Sequence, residues 1–119
     1  MNTAESIKHV ELSLAEAKKI ASLGEAIKRL ETNKDFKRVI FDEYFTAEAQ
    51  RLTFLTADTN LEDKIANAVW SDIRAIGSFR AFLLNRKTLG ELAQKEIKDH
   101  NETLEELRAE EAAEDEGEE

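Results

Sequence analysis

Apolar residues recur at steps of three or four from the start of the chain: Ile7, Val10, Leu14, Ala17, Ile20, Leu23, Ile27 and Leu30. That period lays them on one face of an α-helix, predicted over residues 4–31. Thr3 stands at its N-cap position; Ser13 and Glu16 have capping-box spacing but fall inside the stripe. Gly24 costs such a helix about 1 kcal/mol relative to Ala, which reads either as the close approach of a neighbouring helix or as simple tolerance. Thr32, Asn33 and Lys34 interrupt the stripe, and Asn33 or Asp35 can cap the next element.

The middle of the chain has another texture. Residues 35–45 are dense in aromatic and β-branched side chains, and Val39, Ile40 and Phe41 in succession would suit a buried strand. No second alternating segment exists to pair with it, and a lone strand leaves its backbone groups unsatisfied. A short helix, apolar nearly all round, is the better reading. Thr46 then starts a further helix through Ala49, Leu52, Phe54, Leu55 and Ala57, ended by Asp58, Thr59 and Asn60, and the two make a helical hairpin.

From Leu61, with Asn60 as its cap, a long helix carries the stripe Ile65, Val69, Ile73, Ile76, Phe79, Leu83, Arg86, Gly90, Ala93, Ile97, His100, Leu104 and Leu107. From Ile73 onward this is a heptad-like seam. Lys87, Thr88, Leu89 and Gly90 mark the one place for a joint; one helix, kinked there, is favoured over two. The first helix is too short to cover the seam, so residues 88–111 are expected to project and to need a partner. Candidate interface residues are Phe79, Leu83, Ala93, Ile97, Leu104 and Leu107, with Trp70 as either a core residue or an anchor on an exposed edge. The fold class expected is all-α: an elongated helical hairpin or small bundle of about four helices, one domain over 1–111.

Composition sharpens this picture in three ways. The chain of 119 residues has no Pro, where ordinary usage of roughly 5% would supply about six, and this favours long helices over turn-rich sheets. Zero Cys excludes disulfides, Cys-based zinc sites, iron–sulfur clusters and thiol nucleophiles. No window of ~20 apolar residues and no basic-then-apolar leader is present at the first residues, so no membrane association is expected.

The net charge of −9 is local. Residues 1–100 balance 16 acidic against 16 basic side chains, whereas 101–119 hold 10 acids and Arg108. A neutral body gives no reason to bind nucleic acid directly, and the acidic end repels phosphate. After Leu107 no apolar residue exceeds Ala, so a disordered acidic tail is expected over 112–119. It is either a solubility tail or an acidic arm for a basic partner.

Chemistry finds little purchase. His9 borders the first stripe and His100 sits in the seam; each reads as a packed or surface histidine. Asp42/Glu43 and Glu62/Asp63 are adjacent pairs that diverge on a helix and form no shared-proton dyad. No Glu-x-x-His pair suggests a di-iron bundle and no Gly-rich run suggests a phosphate loop. Arg51, between Ala49 and Leu52, reads as a structural partner for nearby carboxylates. No catalytic, cofactor-binding or metal-binding residues are assigned, and a nonenzymatic protein is expected.

The run Asn33, Lys34, Asp35, Phe36, Lys37, Arg38, Val39, Ile40, then Tyr44, Phe45, Glu48, Ala49, Arg51, Leu52, then Ala75, Ile76, Gly77, Phe79, Arg80 and the acidic stretch Glu105 to Glu111 resembles a family of small acidic α-helical proteins of tailed bacteriophages. The likeness lies in texture and order and spans most of the chain, with one departure, the lack of a Pro after Asn33. The resemblance implies a capsid or connector component or an assembly chaperone. Its partners would be other phage structural proteins or a second copy, in the host cytoplasm or the virion. It carries over no site residues. A DNA-mimicking inhibitor of a host nucleic-acid enzyme is the alternative that the acidic end suggests.

Overall fold

The computed structural model describes residues 2–117, and among them every regular element is helical. Helix α1 runs Thr3–Thr32. Helix α2 covers residues 34–56, with α hydrogen bonding over Lys34–Phe36, π bonding over Lys37–Glu48 and α bonding again over Ala49–Thr56. Helix α3 runs Asp63–Gly117 without a break at Gly90. Three helices thus stand where about four were expected. The hairpin turn before Thr46 is absent because nothing forces one: no Gly or Pro lies between residues 34 and 56. Phe36, Lys37, Glu48 and Ala49 all keep right-handed helical dihedrals.

The helix ends obey local hydrogen bonding. Asn2, one residue before the expected Thr3, caps α1: its side-chain oxygen accepts from the Glu5 N–H at 2.8 Å and its carbonyl from Ser6 at 3.0 Å. The Thr3 hydroxyl instead donates to a Glu114 carboxylate oxygen at 2.9 Å. Asn33 leaves the helix at φ −74° and ψ 124°, and its side chain accepts from the Phe36 N–H at 3.0 Å, a cap worth about 1 kcal/mol. Helix α3 begins at Asp63, two residues after the expected start, because the Asn60 N–H is held by Asp58 Oδ1 at 2.9 Å and closes a turn.

The chain forms two compact units. One joins the residues up to Glu25 to those from Lys87 onward; the other is Ala26–Arg86. In the first, α1 and α3 lie antiparallel, as the pairings Thr3–Glu114, Glu11–Arg108 and Gly24–Gly90 show. Ala17, Ala21 and Ala93 form the buried centre, with Ile97 packed against them. A Cβ on Gly90 would lie 2.8 Å from Gly24 Cα and 3.4 Å from the Ile20 carbonyl oxygen. Gly24 therefore marks a close helix approach, the first of the two readings its position allowed.

This contact redirects the α1 stripe. Leu14, Ala17, Ala21, Gly24 and Ile27 are buried, while Ile20, Leu23 and Leu30 stand exposed. Small residues win the inward face because only they permit backbones so close, and the larger side chains are pushed to the flank. The expected projection of residues 88–111 is overturned by the same packing. Gly90, Ala93 and Leu104 are buried against the first part of α1, and Ile97, His100 and Leu107 are half-buried.

In the second unit, Leu52, Val69 and Ile76 form the core, with Tyr44, Phe45, Ala49, Leu61 and Ile73 packed around them. The α3 stripe holds with two shifts. Ala66 takes the inward place assigned to Ile65, and Arg86 is exposed, its guanidinium 5.2 Å from the Phe82 ring centroid.

The expected disordered tail is helical through Gly117. Extending a formed helix adds a hydrogen bond per residue with no new nucleus, and Glu and Ala are strong helix formers, so burial is not required. Glu118 and Glu119 of that tail lie outside the described residues.

The glycines of α3 separate packing from propensity. A Cβ on Gly77 meets nothing within 4 Å. Gly77→Ala is therefore expected to raise stability by up to about 1 kcal/mol in urea unfolding. Gly90→Ala gains the same propensity but drives a methyl into Gly24 backbone, and is expected to lower stability by about 1–3 kcal/mol. Equal effects of the two substitutions would refute the backbone contact.

Candidate functional site

The seven residues named from the sequence do not gather into one surface. Phe79, Leu83, Ala93, Ile97, Leu104 and Leu107 face inward within their own units. Phe79 lies 5.6 Å from Phe45 and 6.3 Å from Tyr44, centroid to centroid. Trp70 alone of the seven is exposed, at 50%, and is not a core residue.

Two other surface features of the described residues bear on function. One is built by the π segment of α2. A π-helix bonds i to i+5 and is usually a single-turn bulge, often at functional sites; here it extends over the 12 residues Lys37–Glu48. Its wider winding brings residues four and five apart to one side. Phe36 and Phe41 stack edge-to-face at 5.8 Å, Phe41 and Phe45 at 5.5 Å, and the Thr46 hydroxyl donates to the Phe41 carbonyl at 2.8 Å. This winding explains why no 3.6-residue period was legible over residues 35–45.

Between this segment, the start of the α-bonded turn after it and α3 runs an open groove of about 810 Å³. Val39, Ile40, Tyr44, Ala47, Leu52, Ala75 and Ile76 supply its apolar lining, and Glu43, Glu48, Arg51 and Asp72 its charge. Arg51 serves a nearby carboxylate as its position suggested. Its Nε donates to Glu48 Oε2 at 3.1 Å and its Nη2 to Glu48 Oε1. The hydrogen bond from Arg51 holds the Glu48 carboxyl below its ordinary range, with the guanidinium charge adding to that effect against some desolvation. Arg51 is raised in turn by the bond to Glu48, with Asp72 contributing through its charge. Sequence reading singled out Arg51 and missed Val39, Tyr44, Glu43 and Asp72. The available signal was the five-residue Phe36/Phe41 spacing.

The second feature is an apolar edge on the first unit. The Glu11–Arg108 ion pair, 3.4 Å, marks one edge of the antiparallel pair. At 100° per residue, Ile20 and Leu23 of α1 and Leu89 and Leu92 of α3 fall together on the opposite edge. Their exposure ranges from 37% at Leu89 to 50% at Leu92.

Among the described residues, no group of three or more His, Asp or Glu is placed to hold a metal ion. Nor is any helix there long and apolar enough to cross a membrane. No known protein family, curated protein or solved structure matches the chain. Fold and surface together define an all-α protein that carries an apolar edge and a charged groove.

The Glu48–Arg51 pair gives a pH signature. Because its folded value is lowered, Glu48 contributes to stability above the ordinary carboxylate range, and that contribution is lost as pH falls through the lowered value. In a carboxyl-detected NMR titration Glu48 should titrate below the ordinary glutamate range, and Arg51→Gln should return it to that range. A Glu48 midpoint unmoved by Arg51→Gln would show that the pair does not form in solution.

Proposed function

We propose that the protein works by protein–protein contact and not by catalysis, as a structural or assembly component of a tailed phage. The observation carrying this reading is the exposed quartet Ile20, Leu23, Leu89 and Leu92, which remains after the long seam has been covered from within the chain. Contiguous apolar surface of this kind on a charge-rich protein marks a docking site. Its geometry, two antiparallel helices with one apolar edge, suits a helix of a second copy or of a virion protein. The sequence resemblance supports the phage setting.

A second reading rests on the end of α3. Glu102, Glu105, Glu106, Glu110, Glu111, Glu114, Asp115 and Glu116 stand on a helix, which spaces their backbone positions regularly along one rod, an arrangement compatible with a DNA mimic.

Affinity capture from phage-infected cells, at about 0.15 M salt so that tail electrostatics are screened, separates the two. The contact reading expects capsid, connector or assembly proteins, or a second copy, to be recovered by wild-type protein. They should be lost with Leu23→Glu/Leu92→Glu and retained when Glu105, Glu106, Glu110 and Glu111 are changed to Gln. A host nucleic-acid enzyme, retained by the first variant and lost with the second, would replace it with the mimic.

A further inference from the structure

We propose that the groove between the π segment of α2 and α3 binds a basic amphipathic helix of a partner protein. The proposal rests on the reading that the chain acts by protein contact, but uses a different surface. Shape and charge choose the occupant. The floor, Ile40, Tyr44, Leu52 and Ile76, asks for an apolar row. Ala47 on one side and Ala75 on the other are short and exposed, so the groove opens to solvent between them and admits side chains presented from outside rather than enclosing a compact ligand. Such a row is presented by one face of an amphipathic helix.

The charges at the rim choose the sign of that helix. Three carboxylates, Glu43, Glu48 and Asp72, face one guanidinium, and Arg51 is already bonded through two nitrogens to both oxygens of Glu48. Glu43 and Asp72 leave the rim net negative, one on each wall. A helix with Lys or Arg flanking its apolar stripe meets both walls favourably, and an acidic one meets repulsion. The smaller groove of about 350 Å³ lined by Phe45, Thr46, Ala49, Gln50, Thr53 and Phe54 has no charged side chain and selects no such partner.

The test uses the full chain and a fluorescein-labelled amphipathic peptide of roughly 18 residues, with Leu at i, i+3, i+4 and Lys elsewhere, long enough to form a helix on binding. A second peptide carries Glu in place of every Lys. Fluorescence anisotropy at about 0.15 M salt should show saturable binding of the Lys peptide and none of the Glu peptide. Ala47→Trp, which fills the groove from an exposed position, should weaken binding by about tenfold or more, and Glu43→Gln/Asp72→Asn by about threefold to tenfold. Circular dichroism checks that each variant keeps the wild-type helix content. Glu105→Gln/Glu106→Gln removes the same charge from the acidic end and should leave binding unchanged.

Equal loss in the groove and tail pairs would mean attraction to the acidic end and would overturn the proposal. So would indifference to Ala47→Trp, or equal binding of the Glu peptide. Leu23→Glu/Leu92→Glu keeps the two readings distinct. It should abolish the contact made by the apolar edge while leaving the peptide titration as in wild type.

Discussion

A 55-residue helix with one apolar line from Val69 to Leu107 must have that line covered along its whole length. Each methylene left in water forfeits about 0.8 kcal/mol, so the requirement falls on every turn. No other helix among the described residues is long enough to meet it alone. The cover is therefore divided. The beginning of α1 lies on the distal part of α3, while α2 and the loop around Leu61 pack on the proximal part. The two covers differ in side-chain size, and that difference produces both surface features.

In the first unit the cover is thin. Alanines and glycines bring two helices into backbone contact at Gly24 and Gly90, which gains dispersion through close approach, with Leu14 and Leu104 buried further along the pair. Close approach leaves Ile20, Leu23, Leu89 and Leu92 no room inside, so the pair carries an apolar edge. In the second unit the cover is thick. Aromatic rings of the π segment stack on one another and on Phe79, and such pairs add about 0.5–1.5 kcal/mol each beyond their area. Bulky rings on one line of α2 and alanines on another leave a groove beside the core.

The charge distribution belongs with this division. Acidic residues at the C-terminal end of a helix oppose its dipole, and α3 has no basic residue in its last turn. The helix nonetheless runs to Gly117, tied to α1 by the Thr3–Glu114 hydrogen bond and the Glu11–Arg108 pair. Both ties are exposed, so each contributes little alone. Helix propensity carries the rest.

The sequence alone determined the class of the fold, the bounds of α1 within a residue at each end, a cap at Asn33 or Asp35, and almost every inward position of α3. These are local properties: a 3.6-residue period, a short polar residue with free side-chain oxygens, and the absence of Pro all act within a few residues of themselves. Arg51 was legible for the same reason, since its partner is three residues away. Tertiary structure decided which part of which helix covers the seam. Because Leu and Ala are both apolar, periodicity could not tell that Ala21 and Gly24 would turn inward in place of Ile20 and Leu23; only the distance between two backbones made that choice. It also decided the groove, whose walls come from residues 39–52 and 72–76 and whose floor depends on a π winding that an α template cannot register.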